Sequence, residues 1–316
     1  MNLSLLLGML PFEFERVLFA KGNRLLGRRP SSAPFLSGDS FRALADFVFD
    51  ETGDFEPELA KAGSIVFLGT SRMEEFLKRI LPALKAPIVL LSHQEDLNVD
   101  KGFASLTEDP KIGHWFAKNA LLEHPKITPL PIGLEDRWRH NNGALGDFRR
   151  FSGNRPRRPR VALAFTLGTN VERRVPCYLG LSRSGVATEL PQPLNSSMYR
   201  RLVRDYMFVA SPPGNGADCH RTWETMYLGG VPIVEDNAMH RYFKGLGLPM
   251  LIVKDWSEAS HWTENSLGEV YKRLAAEMKR EALFLPFWAG LIGAQSRRIA
   301  EGKGLPESLG SVDGRR

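Results

Sequence analysis

The chain has 316 residues, of which 43% are hydrophobic and 25% are charged. These proportions are ordinary for a globular protein, and they exclude a disordered, collagen-like or low-complexity chain. At about 150 residues per domain, the length suggests two domains. The formal net charge is +6 and the sequence pI is near 9.4, so an anionic partner is favoured, although the charge does not say which anion.

Cysteine usage and hydropathy indicate a reducing, aqueous compartment. Cys177 and Cys219 lie far apart and belong to no Cys/His spacing, so we expect neither a disulfide framework nor a zinc site. No stretch reaches the roughly 20 apolar residues that span a bilayer. The apolar run in residues 1–23 has no basic residue ahead of it, unlike a secretory signal. We therefore expect a cytoplasmic protein, with contact between residues 1–23 and a membrane surface as the alternative.

In the first half of the chain, two short aliphatic runs predict buried parallel strands, at 64–69 and 87–92. Between them the apolar residues have helical spacing, and Ser71 with Glu74 forms a capping box that predicts a helix from about residue 72. A strand, a helix and a strand in this order form a βαβ unit, which implies a parallel sheet. A further strand is predicted at 127–133.

The second half repeats this alternation. Strands are predicted at 160–166, 206–211, 231–236 and 249–255, and helices at 196–205 and 219–230. Two open α/β domains leave a cleft between them, and ligands of such sheets bind beyond the carboxyl ends of the strands. An amphipathic segment at 284–302 is expected to return to the first domain. We predict an N-terminal domain over 1–150, completed by 285–316, and a C-terminal domain over 151–284.

The two halves are separated by a stretch rich in arginine, proline and glycine. Its arginines are Arg149, Arg150, Arg155, Arg157, Arg158 and Arg160. Like charges repel and proline disfavours regular structure, so the stretch is typical of an exposed connector. Binding to the phosphates of a membrane or a nucleic acid is the alternative.

The most informative segment is the loop SPPGNGAD at 211–218, which lies between a strand and a helix. Gly214, Asn215 and Gly216 form its centre, and the absence of a Cβ at the two glycines allows positive φ and close approach of a phosphate. Asp218 is predicted to cap the following helix. The N-terminus of that helix favours an anion.

Three charged or polar side chains follow in the helix, and they extend the predicted anion site. His220 and Arg221 lie in the first turn, where a cation is unfavourable unless an anion is bound beside it. Glu224 lies one turn further along nearly the same face, where its carboxylate can accept hydrogen bonds from the two hydroxyls of a ribose. The alternative is an ordinary strand-to-helix turn with a solvated glutamate.

Residues 211–236 together with 248–258 resemble the signature region of exostosin-like glycosyltransferases and related bacterial polysaccharide enzymes, which have the GT-B fold. In many GT-B enzymes a helical glutamate, followed by a G-x-P-V/I-V strand, holds the ribose of a nucleotide sugar. Glu224 matches this glutamate, and the strand pattern falls on Gly230, Pro232, Ile233 and Val234. Segments 90–100 and 125–138 also look like first-domain segments of the group.

The resemblance implies a fold and an activity. The fold is α/β, with two Rossmann-like domains whose parallel sheets face a central cleft. The activity is inverting transfer of a sugar from a nucleotide-sugar donor to a glycan or glycolipid. The sequence lacks the transmembrane anchor of the animal exostosins, so we expect a bacterial cytoplasmic relative, acting in envelope polysaccharide or lipopolysaccharide synthesis. The arginines and the apolar N-terminus favour an acceptor at the anionic inner membrane face.

Glycosyl transfer requires stabilisation of the leaving diphosphate and deprotonation of the acceptor. Arg173 and Arg174 could reach the diphosphate together with His220 and Arg221. No DxD motif occurs in the loops where a metal-dependent transferase would carry one, so we expect neither a metal nor another cofactor. The loop after the strand at 87–92 offers Asp96 as the preferred general base, with His93 as the next candidate.

Two other functional interpretations remain open at this stage. One is a catalytically silent GT-B module that binds a glycan or a protein partner. The other is a nucleic-acid-binding protein whose arginine stretch contacts the backbone, with an affinity that falls steeply with salt. The chain lacks the usual nucleic-acid recognition motifs, and its aromatic residues are not interleaved with basic ones, so we expect no nucleic-acid partner.

Overall fold

The computed structural model describes residues 22, 26–139, 145–151, 155–191 and 194–304. The described chain forms two parallel five-stranded sheets. The strands of the first sheet are β1 (Phe47–Phe49), β2 (Ile65–Gly69), β3 (Ile88–His93), β4 (Ile112–Lys118) and β5 (Ile127–Leu130). Those of the second are β6 (Arg158–Leu163), β7 (Ala187–Glu189), β8 (Tyr206–Ala210), β9 (Val231–Glu235) and β10 (Leu251–Val253).

Helices connect and cover the strands. The α-helices are α1 (Gly38–Arg42), α2 (Met73–Glu75), α3 (Leu81–Ala83), α4 (Ala104–Glu108), α5 (Gly146–Phe151), α6 (Val171–Ser182), α7 (Ser196–Val203), α8 (His220–Tyr227), α9 (Ala238–Gly245), α10 (Glu264–Ala276) and α11 (Leu285–Ala300). One π-helical turn, Phe76–Ile80, joins α2 to α3. The 3₁₀ turns are Pro57–Leu59, Thr70–Arg72, Lys101–Phe103, Leu167–Thr169, Trp256–His261 and Glu281–Leu283.

The first sheet has the strand order β1-β2-β3-β4-β5, which follows the chain. Right-handed crossovers between sequential parallel strands all pass over the same face of a sheet. The helical segment that includes Phe76 and Ile80 covers that face and packs against Leu90 of β3. The opposite face therefore has to be covered by a distant part of the chain.

That opposite face is covered by α11, near the C-terminal end of the described chain. Trp288 and Ile292 of α11 belong to the same buried cluster as Leu91 of β3. The Ser296 hydroxyl donates a hydrogen bond of 2.7 Å to the carbonyl oxygen of Gly63. The C-terminal segment thus packs on the first sheet, although about 200 residues of sequence separate them.

The second sheet has the strand order β10-β9-β8-β6-β7. Starting from β6, the chain first adds β7 on one side and then β8, β9 and β10 on the other, which is the flavodoxin-like order 2-1-3-4-5. The direction reverses between β6 and β8, and the loops that leave these two strands diverge there. Open α/β sheets bind ligands in the crevice at such a switch point.

The predicted fold class is confirmed, since the chain is α/β with two parallel sheets that border one cleft. Each predicted strand overlaps a strand of the structure. No sequence prediction was made for the strands β1, β4 and β7 or for the helices α1, α4, α5, α6, α9 and α10. The division into domains at residues 150 and 284 stays a prediction.

Two predicted helix caps were wrong. Neither Thr70–Arg72 nor α2 has a side-chain hydrogen bond at its N-terminus, so Ser71 and Glu74 do not form a capping box. The N-cap of α8 is Cys219, without a side-chain bond. Asp218, the predicted cap, instead accepts a hydrogen bond from the backbone of the first half.

For the described residues of the arginine stretch, the prediction of an exposed connector was also wrong. Arg158 begins β6, and Arg157 is half-buried, with its guanidinium bonded to the carbonyl oxygens of Arg204 and Leu228. Arg160 donates to the carbonyl oxygen of Ala187 at 2.8 Å. Arginine forms several hydrogen bonds at once, and these side chains use them to hold the second sheet.

No helix in the described part of the chain is long and apolar enough to cross a membrane. The predicted membrane-surface segment, residues 1–23, falls almost wholly outside the described residues.

The packing of α11 predicts the effect of removing its central side chain. Trp288 is fully buried, so Trp288→Ala should lower the free energy of unfolding by about 3–5 kcal/mol, since burial of a large side chain is lost and a cavity remains. Urea denaturation measures the change. Arg297→Ala, at an exposed position of the same helix, is the control and should change stability by less than about 0.5 kcal/mol. A loss below about 1 kcal/mol for Trp288→Ala would contradict this packing.

Candidate functional site

A cavity of about 560 Å³ lies between the two halves of the chain. Most of its lining residues come from segments at the carboxyl ends of strands, at 93–96, 132–139, 164–169 and 214–224. The last two segments leave β6 and β8, the two strands on either side of the switch point. The cavity therefore lies at the switch point between β6 and β8, where open α/β sheets bind their ligands.

The loop 211–219 is held against the first half of the chain by two asparagines. The amide of Ala217 donates to Asn98 Oδ1 at 3.1 Å, and the amide of Asp218 donates to Asn119 Oδ1 at 2.9 Å. A Cβ on Gly216 would lie 2.4 Å from the Asn119 side-chain nitrogen, so a larger residue here would displace Asn119 and its hydrogen bond to the loop. Neither Gly214 nor Gly216 has a positive φ, so the predicted use of their conformational freedom was wrong.

These bonds leave fewer backbone donors for a ligand than the sequence predicts. The amide of Gly214 donates to the carbonyl oxygen of Gly216, and that of Cys219 donates to the Asp218 carboxylate. Among the described residues, no hydrogen bond engages the amides of Asn215, Gly216 or His220. The loop and the start of α8 thus offer about half of the expected amides to an anion.

Asp218 joins the loop, α8 and the first half of the chain. Its carboxylate accepts hydrogen bonds from the amide of Ile132 at 2.9 Å and from the indole Nε1 of Trp223 at 2.8 Å. Burial raises the pKa of Asp218, and His240 and these donors oppose the increase. The residue acts as a fixed buried link.

Two arginines border the cavity on the side of the second sheet. Arg174 is buried and donates to the carbonyl oxygens of Pro213 and Thr166 at 3.0 and 2.7 Å. Arg221 donates to the carbonyl oxygen of Ala164 at 3.2 Å. Burial lowers the pKa of Arg174, and the neighbouring Arg221 lowers it further, so a bound anion would relieve the repulsion between the two.

Arg173 is not among the residues that line the cavity. It is a predicted donor-binding residue, but its guanidinium pairs with Glu235, and 55% of its side chain is exposed. Adjacent helix positions point in directions about 100° apart, which explains why Arg174 lines the cavity and Arg173 does not.

His220 crosses the cleft. Its Nδ1 is 2.9 Å from the carbonyl oxygen of Gly133, so Nδ1 carries the proton that it donates there. Its Nε2 lies 3.6 Å from a carboxylate oxygen of Glu135. The first turn of α8 therefore contacts the segment of the first half that contains Gly133 and Glu135.

Glu224 lines the cavity but is not solvated, and the alternative of a solvated glutamate is wrong. Only 7% of the residue is exposed, and its Oε1 accepts hydrogen bonds from Arg200 Nε and Nη2 at 3.0 and 2.8 Å. Arg200 is fully buried and also pairs with Asp147 at 3.1 Å. The sequence analysis missed this arginine, whose position on the inner face of α7 was the available signal.

The two predicted catalytic residues differ in their surroundings. Asp96 lines the cavity with 48% of its side chain exposed, 3.6 Å from the Lys118 ammonium. His93 also lines the cavity, but its Nδ1 accepts from the amide of Gln94 at 2.7 Å and its Nε2 bonds the carbonyl oxygen of Pro131 at 3.0 Å. Burial holds the pKa of His93 well below its usual range. Both nitrogens are engaged, so His93 has no free lone pair for a base.

Two aspartates that the sequence did not indicate, Asp39 and Asp136, lie next to each other in the structure. Asp136 lines the cavity and accepts a 2.8 Å hydrogen bond from the amide of Asp39. Burial and the neighbouring Asp136 raise the pKa of Asp39 to about 7, against the opposing effect of Arg29. Burial also raises the pKa of Asp136. Asp136 lies in a segment, 125–138, that was singled out only for its resemblance to a family.

No group of three or more His, Cys, Asp or Glu side chains in the described residues is arranged to hold a metal ion.

Comparison with known proteins gives distant structural neighbours only. No protein-family model and no curated protein matches the sequence. The spinosyn rhamnosyltransferase SpnG, complexed with spinosyn aglycone, is 10% identical over 76% of this chain and 70% of its own, with a TM-score of 0.35. The same enzyme complexed with thymidine diphosphate is 11% identical over 75% and 69%, with a TM-score of 0.35. These neighbours are glycosyltransferases, but similarity at this level supports no statement about the activity of this chain.

The raised pKa of Asp39 predicts how stability depends on pH. A carboxyl whose folded pKa of about 7 exceeds its unfolded value binds its proton more tightly when folded, so its contribution is complete below about pH 4 and is lost as pH rises to 7. Asp39→Asn keeps the shape and removes the titration. We expect the variant to gain about 2–4 kcal/mol relative to the wild type between pH 4 and 8.

Urea denaturation at several pH values measures this difference. Asp54→Asn, which changes an exposed carboxylate of the first half, is the control and should show no relative gain as pH rises. A difference between Asp39→Asn and the wild type that stays constant from pH 4 to 8 would contradict the account.

Proposed function

We propose that this protein is a glycosyltransferase that moves a sugar from a nucleotide-sugar donor to a hydroxyl of a glycan or glycolipid. One observation carries the proposal: cationic groups and carboxylates face each other across a single cavity at the switch point of the second sheet. Arg174 and Arg221 lie on one side, and Asp96, Glu135 and Asp136 lie on the other. Such a site can hold a leaving diphosphate opposite a base.

The diphosphate is proposed to bind on the side of the second sheet. The free amides of Asn215, Gly216 and His220 lie at the start of α8, where the helix dipole favours an anion. Arg174 and Arg221 add two positive charges held by bonds to carbonyl oxygens. Because these donors are fixed before the reaction, they would stabilise the charge that develops on the leaving group.

The ribose is proposed to bind to Glu224, one turn below the start of α8. Both bonds from Arg200 end on Oε1, which leaves Oε2 to accept hydrogen bonds from the ribose hydroxyls. Arg200 fixes the direction of the carboxylate, so little conformational entropy is lost on binding.

The acceptor is proposed to approach from the side of the first sheet, where the carboxylates lie. One carboxylate takes the proton of the acceptor hydroxyl while its oxygen attacks the anomeric carbon. The sequence predicts Asp96, which is exposed in the cavity, as this base. The hydrogen bonds on both ring nitrogens of His93 disfavour His93 in the same role.

The finer assignment rests on the resemblance of residues 211–236 to the exostosin-like signature. It supports an inverting enzyme that needs no metal or other cofactor and acts in bacterial envelope polysaccharide or lipopolysaccharide synthesis. The division into an acceptor-side domain over 1–150 with 285–316, and a donor-side domain over 151–284, belongs to the same proposal. So does a location in the cytoplasm at the inner membrane face.

Nucleotide binding by variants at two adjacent arginines, Arg174 and Arg173, tests the proposed donor site. Calorimetry of the full chain with UDP, GDP, ADP and dTDP should find at least one that binds with a micromolar Kd. Arg174→Ala should weaken that binding by about 10–100-fold, because a charged hydrogen-bond donor is lost.

Arg173→Ala removes the same charge one position away, outside the cavity, and should change the Kd by less than about twofold. Equal losses in the two variants would mean that only the overall charge matters. If no nucleotide binds to the folded wild type, the proposed function is wrong.

The role of Glu224 is tested by removing one hydroxyl from the ligand. If UDP is the ligand, the wild type should bind it about tenfold more tightly than 2′-deoxy-UDP, because a hydrogen bond to a carboxylate is worth about 1.5 kcal/mol. Glu224→Gln should reduce this ratio towards one. We choose Glu224→Gln rather than Glu224→Ala, because alanine would leave the buried Arg200 without its hydrogen-bond partner at this position. A ratio that is the same in both proteins would exclude Glu224 from the ribose site.

A further inference from the structure

We propose that Asp136 is the general base of the transfer reaction and that Asp39 is the positioning residue that tunes it. This inference rests on the proposed function, and it replaces Asp96 in the role that the sequence assigns to it.

Asp136 is placed with one oxygen held and the other unbonded. Oδ1 accepts the hydrogen bond from the amide of Asp39. No hydrogen bond within the described residues ends on Oδ2, and the Arg29 guanidinium is 4.0 Å from it. The side chain is 11% exposed, and the residue lines the cavity. The carboxylate is therefore fixed in orientation and can receive a proton from a hydroxyl in the cavity.

Asp39 lies behind Asp136 and has no contact with solvent. Its side chain is fully buried, and Oδ1 accepts a 2.8 Å bond from Arg29 Nε. Its Oδ2 is buried without a hydrogen-bond partner among the described residues. A buried carboxylate oxygen without a donor is costly when charged and much less so when protonated. Two neighbouring buried carboxylates therefore favour sharing one proton.

The charges around the pair do not neutralise both members. Within the described parts of the chain, Arg29 is the only cation within ion-pair distance of either aspartate. Its guanidinium also reaches Glu51 at 2.6 Å and Asp50 at 4.0 Å. The negative charge of Glu135 raises the pKa of Asp136, while Arg29 and His220 lower it. His93 lies on the other side of Gly38, whose added Cβ would be 2.9 Å from His93 Nδ1 and 3.1 Å from Asp136 Oδ2.

The surroundings of Asp136 differ from those of Asp96. Asp96 is half-exposed and lies beside the Lys118 ammonium. Asp136 is almost fully buried at the cavity wall, and burial and Glu135 raise its pKa. A base is most effective when its pKa is close to the working pH.

The position of Asp136 also suits an attack on the donor. Its neighbour Glu135 lies 3.6 Å from Nε2 of His220, in the first turn of α8 where the diphosphate is proposed to bind. In the step, the acceptor oxygen forms a bond to the anomeric carbon as the bond from that carbon to the diphosphate oxygen breaks. The diphosphate leaves with the electron pair, and the hydroxyl proton passes to Asp136 Oδ2. The proton is then released to solvent through the cavity.

Donor hydrolysis, with water as the acceptor, tests the proposal in the full chain. Release of UDP from UDP-glucose, UDP-galactose and UDP-N-acetylglucosamine is measured alongside calorimetric binding of UDP. Asp136→Asn should lower kcat by about 100–10,000-fold and change the Kd of UDP by less than threefold. Asp136→Glu, which keeps a carboxylate, should recover part of the rate. Asp54→Asn, an exposed carboxylate outside the cavity, should match the wild type.

The role of Asp39 is tested by the pH profile. Asp39→Asn removes a negative charge beside Asp136, so the acidic limb of the kcat profile should move to lower pH, which a purely structural role would not produce. The inference is overturned if Asp136→Asn keeps at least a third of the wild-type kcat, if Asp96→Asn loses more activity than Asp136→Asn, or if the limb stays in place. Failure of the wild type to bind UDP or any other nucleotide would instead refute the proposed function.

Discussion

The arrangement of the cleft depends on the buried carboxylate of Asp218. It accepts hydrogen bonds from the amide of Ile132 in the first half and from the indole of Trp223 in α8. Asn98 and Asn119 hold the adjoining loop amides from the first half. A loop that leaves the second sheet is thereby fixed against the first, and the start of α8 faces the carboxylates across the cavity. Loss of one member of such a network leaves buried polar groups unpaired.

Charge is divided across the cavity, and the division accounts for most of the proposed chemistry. On the side of the second sheet, Arg174 and Arg221 are held by backbone carbonyl oxygens rather than by acidic partners. On the side of the first sheet, Asp39 and Asp136 share one nearby guanidinium. The first arrangement leaves positive charge for an anion, and the second leaves a carboxylate ready to accept a proton.

The sequence predicted those parts of the fold that local pattern controls. Buried parallel strands such as β3, β8 and β9 are continuous aliphatic runs with turn residues at their ends, so their positions followed directly. The strands β1 and β7 have only three residues each, and charged residues lie beside or within them. The equally short β10 was predicted because it lies within the longer apolar run at 248–253.

Prediction of the site failed where partners come from distant sequence. The loop 211–218 and Glu224 were found, because turn residues and helical spacing are local properties. The partners of that loop, Asn98 and Asn119, and of Glu224, Arg200, are set by how the halves meet. The Asp39 and Asp136 pair joins residues 97 positions apart. The choice of Arg174 over Arg173 depended on the rotation of α6, which no predicted helix had fixed.

A crystal structure of the full chain with bound UDP tests the central claim most directly. The account predicts diphosphate oxygens about 2.7–3.2 Å from the His220 amide and from the guanidinium groups of Arg174 and Arg221. It also predicts the ribose hydroxyls on Oε2 of Glu224. UDP bound at another surface while this cavity holds only solvent, or a ribose that does not touch Glu224, would contradict the account.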